Sequence, residues 1–79
     1  MEVLSLVREA EIRGKAGDLL SLLPVLGEAL GVWTEGLYYP LRRETLYPYK
    51  TRGISNVFLG ELARVGLAEG QLICIHTSI

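Results

Sequence analysis

Hydrophobic and polar residues alternate along short stretches of this chain, and glycines, prolines and charged residues interrupt the alternation every few positions. In Glu9 to Arg13 (EAEIR), Ala10 and Ile12 fall on one face and Glu9, Glu11 and Arg13 on the other, the period-two pattern of a half-buried strand. Val3 to Val7 gives a second strand just before it, and Gly14 and Gly17 supply a turn after it. Near the other end, Glu61 to Leu67 puts Ala63, Val65 and Leu67 on one side and Arg64 on the other. Gln71 to Thr77 (QLICIHT) follows as a β-branched, apolar strand, and the Glu69-Gly70 pair between the two predicts a hairpin turn.

The segment from Asp18 to Leu30 carries leucines at positions 19, 22, 23, 26 and 30, which is helical spacing in good helix formers. Pro24 and Gly27 oppose a helix, because an interior proline removes a hydrogen bond and clashes with the preceding turn at a cost of about 3 kcal/mol. Asp18 to Val25 is therefore expected as a strand buried on both faces. Leu30 to Thr34, Gly36 to Tyr39 and Glu44 to Tyr47 complete the set. About eight short antiparallel strands without a convincing helix predict an all-β fold, a small β-sandwich or jelly-roll-like domain spanning residues 1–79.

Composition adds limits. Seventy-nine residues allow one domain, and a core of that size hides only about 60% of the unfolded chain's surface, so stability is expected to be modest. Hydrophobic residues at 49% exclude disorder, while a net charge of −1 points to no particular partner. Cys74 is the single cysteine, so neither an internal disulfide nor a cysteine-based zinc site is available. There is no basic-then-apolar leader and no apolar run of the roughly 20 residues needed to span a bilayer. These features predict a soluble protein of the cytoplasm, with no membrane partner.

Candidate chemistry is sparse. All four tyrosines, Tyr38, Tyr39, Tyr47 and Tyr49, lie in one window with Arg42, Arg43, Lys50 and Arg52 among or just after them. A single-stranded nucleic acid groove uses such interleaving, but the acidic net charge lacks the basic footprint of those binders. The favoured reading buries the rings at strand ends and leaves the hydroxyls wet. His76 has no partners for a metal or nucleophilic role in the sequence and reads as structural. Cys74 reads as a small apolar filler, and Trp33 as core. No phosphate-cradling glycine loop occurs, and Asp18 is the only aspartate, so phosphoryl transfer by this chain alone is excluded as an expectation.

One stretch stands apart: TRGISNVF, Thr51 to Phe58, where Gly53, Ser55 and Asn56 interrupt an apolar context. By residue type alone it reads as a turn, with Ser55 and Asn56 satisfying local backbone groups. Four ordered motifs, GDLLSLLPV (17–25), GVWTEGLYYPL (31–41), ETLYP (44–48) and TRGISNVFLGE (51–61), together with the closing strand QLICIHT, resemble the C-terminal vitamin B1-binding domain of thiamine pyrophosphokinase. The resemblance implies a β-sandwich that supplies part of a thiamine pocket in an enzyme moving a pyrophosphoryl group from ATP to thiamine. It implies a homodimer, with ATP and Mg2+ held by a separate nucleotide-binding domain that has no counterpart here. The chain is then either an excised domain or the partner of a separate nucleotide domain, inactive by itself. The Ser-Asn pair maps onto Ser55 and Asn56, and Gly53 and Thr51 flank it, giving Thr51, Gly53, Ser55 and Asn56 as the expected thiamine-binding residues. Two uncharged hydrogen-bonding side chains between apolar walls suit an aminopyrimidine, and Gly53 lets the backbone come close. The chain departs from the family pattern at Val57, where many members are acidic, and at Pro48-Tyr49. Two rivals remain: a purely structural dimerisation module, and a small nucleic-acid binder with steeply salt-dependent affinity.

Overall fold

The computed structural model describes residues 1–50 and 53–79. Eight strands form: β1 (Glu2–Leu6), β2 (Glu9–Arg13), β3 (Leu19–Pro24), β4 (Ala29–Glu35), β5 (Glu44–Leu46), β6 (Asn56–Val57), β7 (Leu62–Gly66) and β8 (Leu72–Thr77). They make two four-stranded sheets, one ordered β1-β8-β3-β6 and the other β2-β7-β4-β5. Every strand pairing is antiparallel, and no helix occurs among the described residues. The all-β, eight-strand sandwich expected from the alternation is the fold observed.

Alternation explains the layers. Leu20 and Leu22 of β3 and Leu72 and Cys74 of β8 are buried, and between them stand the half-buried Leu19, Ser21, Leu23, Ile73 and Ile75. From the second sheet come Ile12, Ala29, Val32, Leu46, Ala63 and Val65, and from the connections Leu37, Leu41, Phe58 and Leu67. Burial of these side chains in one cluster supplies the main stabilising term, at about 1.5–3 kcal/mol for each fully buried large aliphatic or aromatic residue before chain entropy is subtracted.

The Asp18–Val25 segment is a strand, as Pro24 and Gly27 required. It is only half-buried on its outer face, and it stops at Pro24, whose missing N–H makes it a natural strand end. The Glu69-Gly70 hairpin does not form. Strands β7 and β8 lie in different sheets, and residues 67–70 cross between them while bonding to β4: Ala68 and Glu69 donate to the Leu30 carbonyl at 2.8 and 3.2 Å, and Leu30 donates to Glu69 at 2.8 Å. Gly70, at φ +105°, passes so close to β4 that a Cβ would lie 2.7 Å from the Glu28 carbonyl oxygen. The strand expected at Gly36–Tyr39 is also absent. Leu37 makes one isolated bridge to Phe58, and a side chain satisfies the backbone that follows.

Trp33 is not core. On the alternating β4 it faces outward, half-buried, opposite Gly66 in the β4–β7 register, and its indole lies against the glycine where any side chain would collide with it. The outer face of this second sheet also carries Arg64 between Glu11 (3.6 Å) and Glu35 (3.8 Å).

Candidate functional site at the GISN segment

Residues 53–58 run along the free side of β3 and then reach across to the 36–40 loop. The Gly53 carbonyl accepts from the Leu22 N–H at 2.8 Å. The approach is tight enough that a Cβ on Gly53 would lie 2.7 Å from the Leu22 carbonyl oxygen and 3.2 Å from Leu46 Cδ1. Glycine is thus required by packing against β3. Ser55 adopts φ +57°, a left-handed conformation uncommon for a non-glycine residue, held by donation from its N–H to Ser21 Oγ at 2.9 Å. The Ser55 side chain is exposed.

Asn56 is buried and uses its carboxamide three times. Oδ1 accepts from the N–H of Tyr39 and of Val57, each at 2.9 Å, and Nδ2 donates to the Tyr39 carbonyl at 2.6 Å. One of these bonds is the local turn contact expected of such a residue. The other two clamp a loop 17 residues away, so the amide replaces a strand neighbour for Tyr39. On either side the backbone continues the pairing, Tyr38 N–H to Val57 O at 2.8 Å and Leu59 N–H to Gly36 O at 3.0 Å.

That clamp displays aromatic surface. Tyr38 and Tyr39 are 62% and 58% exposed and meet edge to face, centroids 5.0 Å apart. Tyr49 is exposed as well and stacks obliquely on Tyr47 at 5.6 Å, with Lys50 Nζ 5.7 Å from the Tyr47 centroid. The expectation of buried rings fails for three of the four tyrosines, because they belong to loops rather than to strand ends. Gly53, Ser55 and Asn56 therefore stand on one segment, Gly53 and Ser55 against β3 and Asn56 against Tyr39. Thr51 lies outside the described residues. A cleft of about 590 Å³ is lined by Trp33, Thr34, Glu35, Pro40, Leu41, Arg42 and Arg43, and another of about 360 Å³ opens between β1 and β2; neither includes the GISN residues.

A second polar cluster was not visible in the sequence. His76, buried on β8, places Nε2 2.8 Å from Asp18 Oδ2 and Nδ1 3.0 Å from Glu2 Oε1. Asp18 is buried too and accepts from the N–H groups of Lys15 (3.0 Å) and Ile79 (3.3 Å). The hydrogen bond from His76 holds the Asp18 carboxyl below its ordinary value, against the opposing effect of burial. The same bond raises His76, burial opposes the rise, and Glu2 adds to it. The only hint was compositional, a sole histidine and a sole aspartate in an apolar chain. Burial pushes the Cys74 thiol up to about 11, consistent with an inert filler. Among the described residues no group of three or more His, Cys, Asp or Glu side chains is placed to hold a metal ion, and no helix is long and apolar enough to cross a membrane.

Two packed antiparallel sheets, with a polar segment bracing an exposed aromatic loop, define a small β-sandwich domain. The chain belongs to the thiamin pyrophosphokinase, vitamin B1 binding domain family, whose model matches residues 7–72. Comparison with curated protein sequences gives no match. Among solved structures, the fold is similar to thiamine pyrophosphokinase from Bacillus subtilis (TM-score 0.86, 20% identity, 98% of this chain and 37% of that one). It is similar also to the thiamin pyrophosphokinase of Geobacillus thermodenitrificans (0.82, 19%, 98% and 37%) and to a thiamin pyrophosphokinase family protein of Enterococcus faecalis (0.78, 18%, 98% and 36%). This chain spans a little over a third of the length of each.

Proposed function

We propose that this domain binds thiamine through Thr51, Gly53, Ser55 and Asn56, as part of an enzyme that transfers a pyrophosphoryl group from ATP to the vitamin. The observation that carries the site is the Asn56 clamp, which fixes the exposed Tyr38-Tyr39 pair next to the GISN backbone. Flat aromatic faces and uncharged donors and acceptors then stand within reach of one aminopyrimidine. Asn56 keeps one Nδ2 hydrogen beyond its three bonds, and Ser55 presents a hydroxyl to solvent. ATP and Mg2+ belong on a separate nucleotide-binding domain in this reading, and the domain alone performs no turnover.

Dimer contacts are assigned to the outer face of the first sheet. Leu19, Ser21, Leu23, Ile73, Ile75 and Thr77 alternate there with buried neighbours on β3 and β8, Val57 of β6 and the exposed Val3 and Ser5 of β1 extend the face, and none of them is charged, unlike the Glu11–Arg64–Glu35 ladder on the opposite sheet. A charge-free face can meet its own copy across a two-fold axis without like-charge repulsion. It also supports the rival of a structural module without a ligand.

A titration of the chain with thiamine, followed by backbone amide chemical shifts, distinguishes the two. Binding at the proposed site shifts Gly53, Ser55, Asn56 and Tyr39 together and leaves β2 and β7 unmoved. Uniformly static spectra at millimolar thiamine would sink the ligand reading, and sedimentation showing only monomer at high micromolar concentration would remove the dimer contacts.

A further inference from the structure

We propose that the Glu2–His76–Asp18 cluster is a proton-operated latch that fastens the N-terminal end of strand β1 to the sandwich and releases it when His76 loses its proton. Carboxylates only accept hydrogen bonds, and a neutral imidazole has one N–H to give. His76 has a carboxylate oxygen at hydrogen-bonding distance from each ring nitrogen, 2.8 Å on Nε2 and 3.0 Å on Nδ1, and satisfying both requires the imidazolium. The inference is independent of the thiamine reading.

Geometry decides which contact yields. The Asp18 side chain is 5% exposed and also holds the Lys15 and Ile79 N–H groups, whereas the Glu2 side chain is 78% exposed. When the proton leaves, Nε2 keeps its hydrogen for Asp18, and the Nδ1 lone pair confronts Glu2 Oε1. Two acceptors at that distance repel, and Glu2, free to move, turns into water. The first residue of β1 thereby loses its side-chain tie. Strand β1 has little else there: among the described residues it is an edge strand that pairs with β8 alone, with Glu2 opposite His76, and four of its five residues are exposed.

Other charges face the same ring. Glu11 and Arg13 of β2 line the cleft that His76 shares with Glu2 and Cys74. Arg13 and Lys15, with Ser78 and Ile79, line a second cleft against His76 and Asp18. Phe58 stacks obliquely on the imidazole at 5.0 Å and carries no charge. The two nearest groups are both carboxylates, so the protonated ring is the favoured state, in line with its raised pKa.

Histidine ring shifts and backbone hydrogen exchange, read across pH on the intact chain, test the latch. The expected result is that protection of the β1 amides, relative to that of β7, falls about two- to fivefold over the pH interval in which His76 titrates, the range of an exposed ion pair. In Glu2→Gln the amide can donate to the neutral ring or accept from the charged one, so the pH step in β1 protection disappears and His76 titrates lower than in the wild type. The side chain is mostly exposed, so this variant folds. A His76 that titrates at or below 6.5, an identical pH step in Glu2→Gln, or parallel loss of protection in β1 and β7 would each overturn the proposal.

Discussion

Replacing Asn56 by alanine deletes three hydrogen bonds at once and leaves the N–H and carbonyl of Tyr39 and the N–H of Val57 without their partner. Each such bond contributes about 0.5–1.5 kcal/mol net. Tyr39 is 58% exposed, so water can replace part of what is lost, and the sum falls at about 2–3 kcal/mol. For a domain of this length about 1 kcal/mol moves the melting temperature by roughly 4–8 °C, which predicts a drop of about 10–20 °C. Ser55→Ala is the matched control: the bond at that residue is made by its backbone N–H to Ser21, so the melting temperature should stay within about 2–3 °C, since surface changes of this kind cost under about 0.5 kcal/mol. The assay is thermal and denaturant unfolding of both variants beside the wild type. An Asn56→Ala protein that melts within about 3 °C of the wild type would refute the clamp. The thiamine reading adds an expectation for the control, weaker thiamine binding by Ser55→Ala without a stability change.

Gly36→Ala should cost about 2–4 kcal/mol, since φ is +81° and a Cβ would strike the Leu62 carbonyl, whereas Gly17→Ala, at φ +94° in open space, should cost only the about 1–2 kcal/mol of a left-handed residue; chemical denaturation ranks the two. Stability should plateau between about pH 4 and 6.5. The depressed Asp18 contributes stability that is present above its ordinary 3.8 and lost as pH falls through its native value. The raised His76 contributes stability that is present below 6.5 and lost as pH rises through its native value. Melting curves across pH should therefore decline on both sides, and a maximum above pH 8 would contradict this. Cys74, 1% exposed with its thiol at about 11, should react with a disulfide reagent at pH 8 only after unfolding; rapid labelling of the native protein would contradict its burial.

The strands were legible because side-chain alternation is local: a half-buried strand writes its two faces into successive residues, as EAEIR and LICIHT do. What the sequence hid is what depends on distant partners. Glu69-Gly70 has hairpin composition, yet the chain crosses to the other sheet there because β4 already lies beside β7. Gly36–Tyr39 reads as a strand, but the amide of Asn56 takes the place a neighbouring strand would fill. Trp33 faces outward because Gly66, far along the chain, leaves room for the indole on the outer face. The GISN segment was legible as something other than a simple turn only through family resemblance; its cross-loop bonds have no local signature. Asp18 and His76, 58 residues apart, could be singled out only as rare residues, not as a pair.

The strand order has a consequence for how the domain comes into being. Of the six strand pairings among the described residues, only β4 with β5 joins neighbours in sequence. In the first sheet β8 is what links β1 to β3, and in the second β7 is what links β2 to β4. Until residues 62–77 emerge from the ribosome, neither sheet has its central tie, β1 and β2 have no strand to pair with, and β3 and β4 have only the short β6 and β5. Folding dominated by such distant pairings is slow, roughly milliseconds to seconds, and it begins only when synthesis of this domain is almost finished. A nascent chain arrested before Leu72 should therefore stay protease-sensitive, dependent on whatever shields exposed strands in the cell, and resistance should appear in one step once β8 is available.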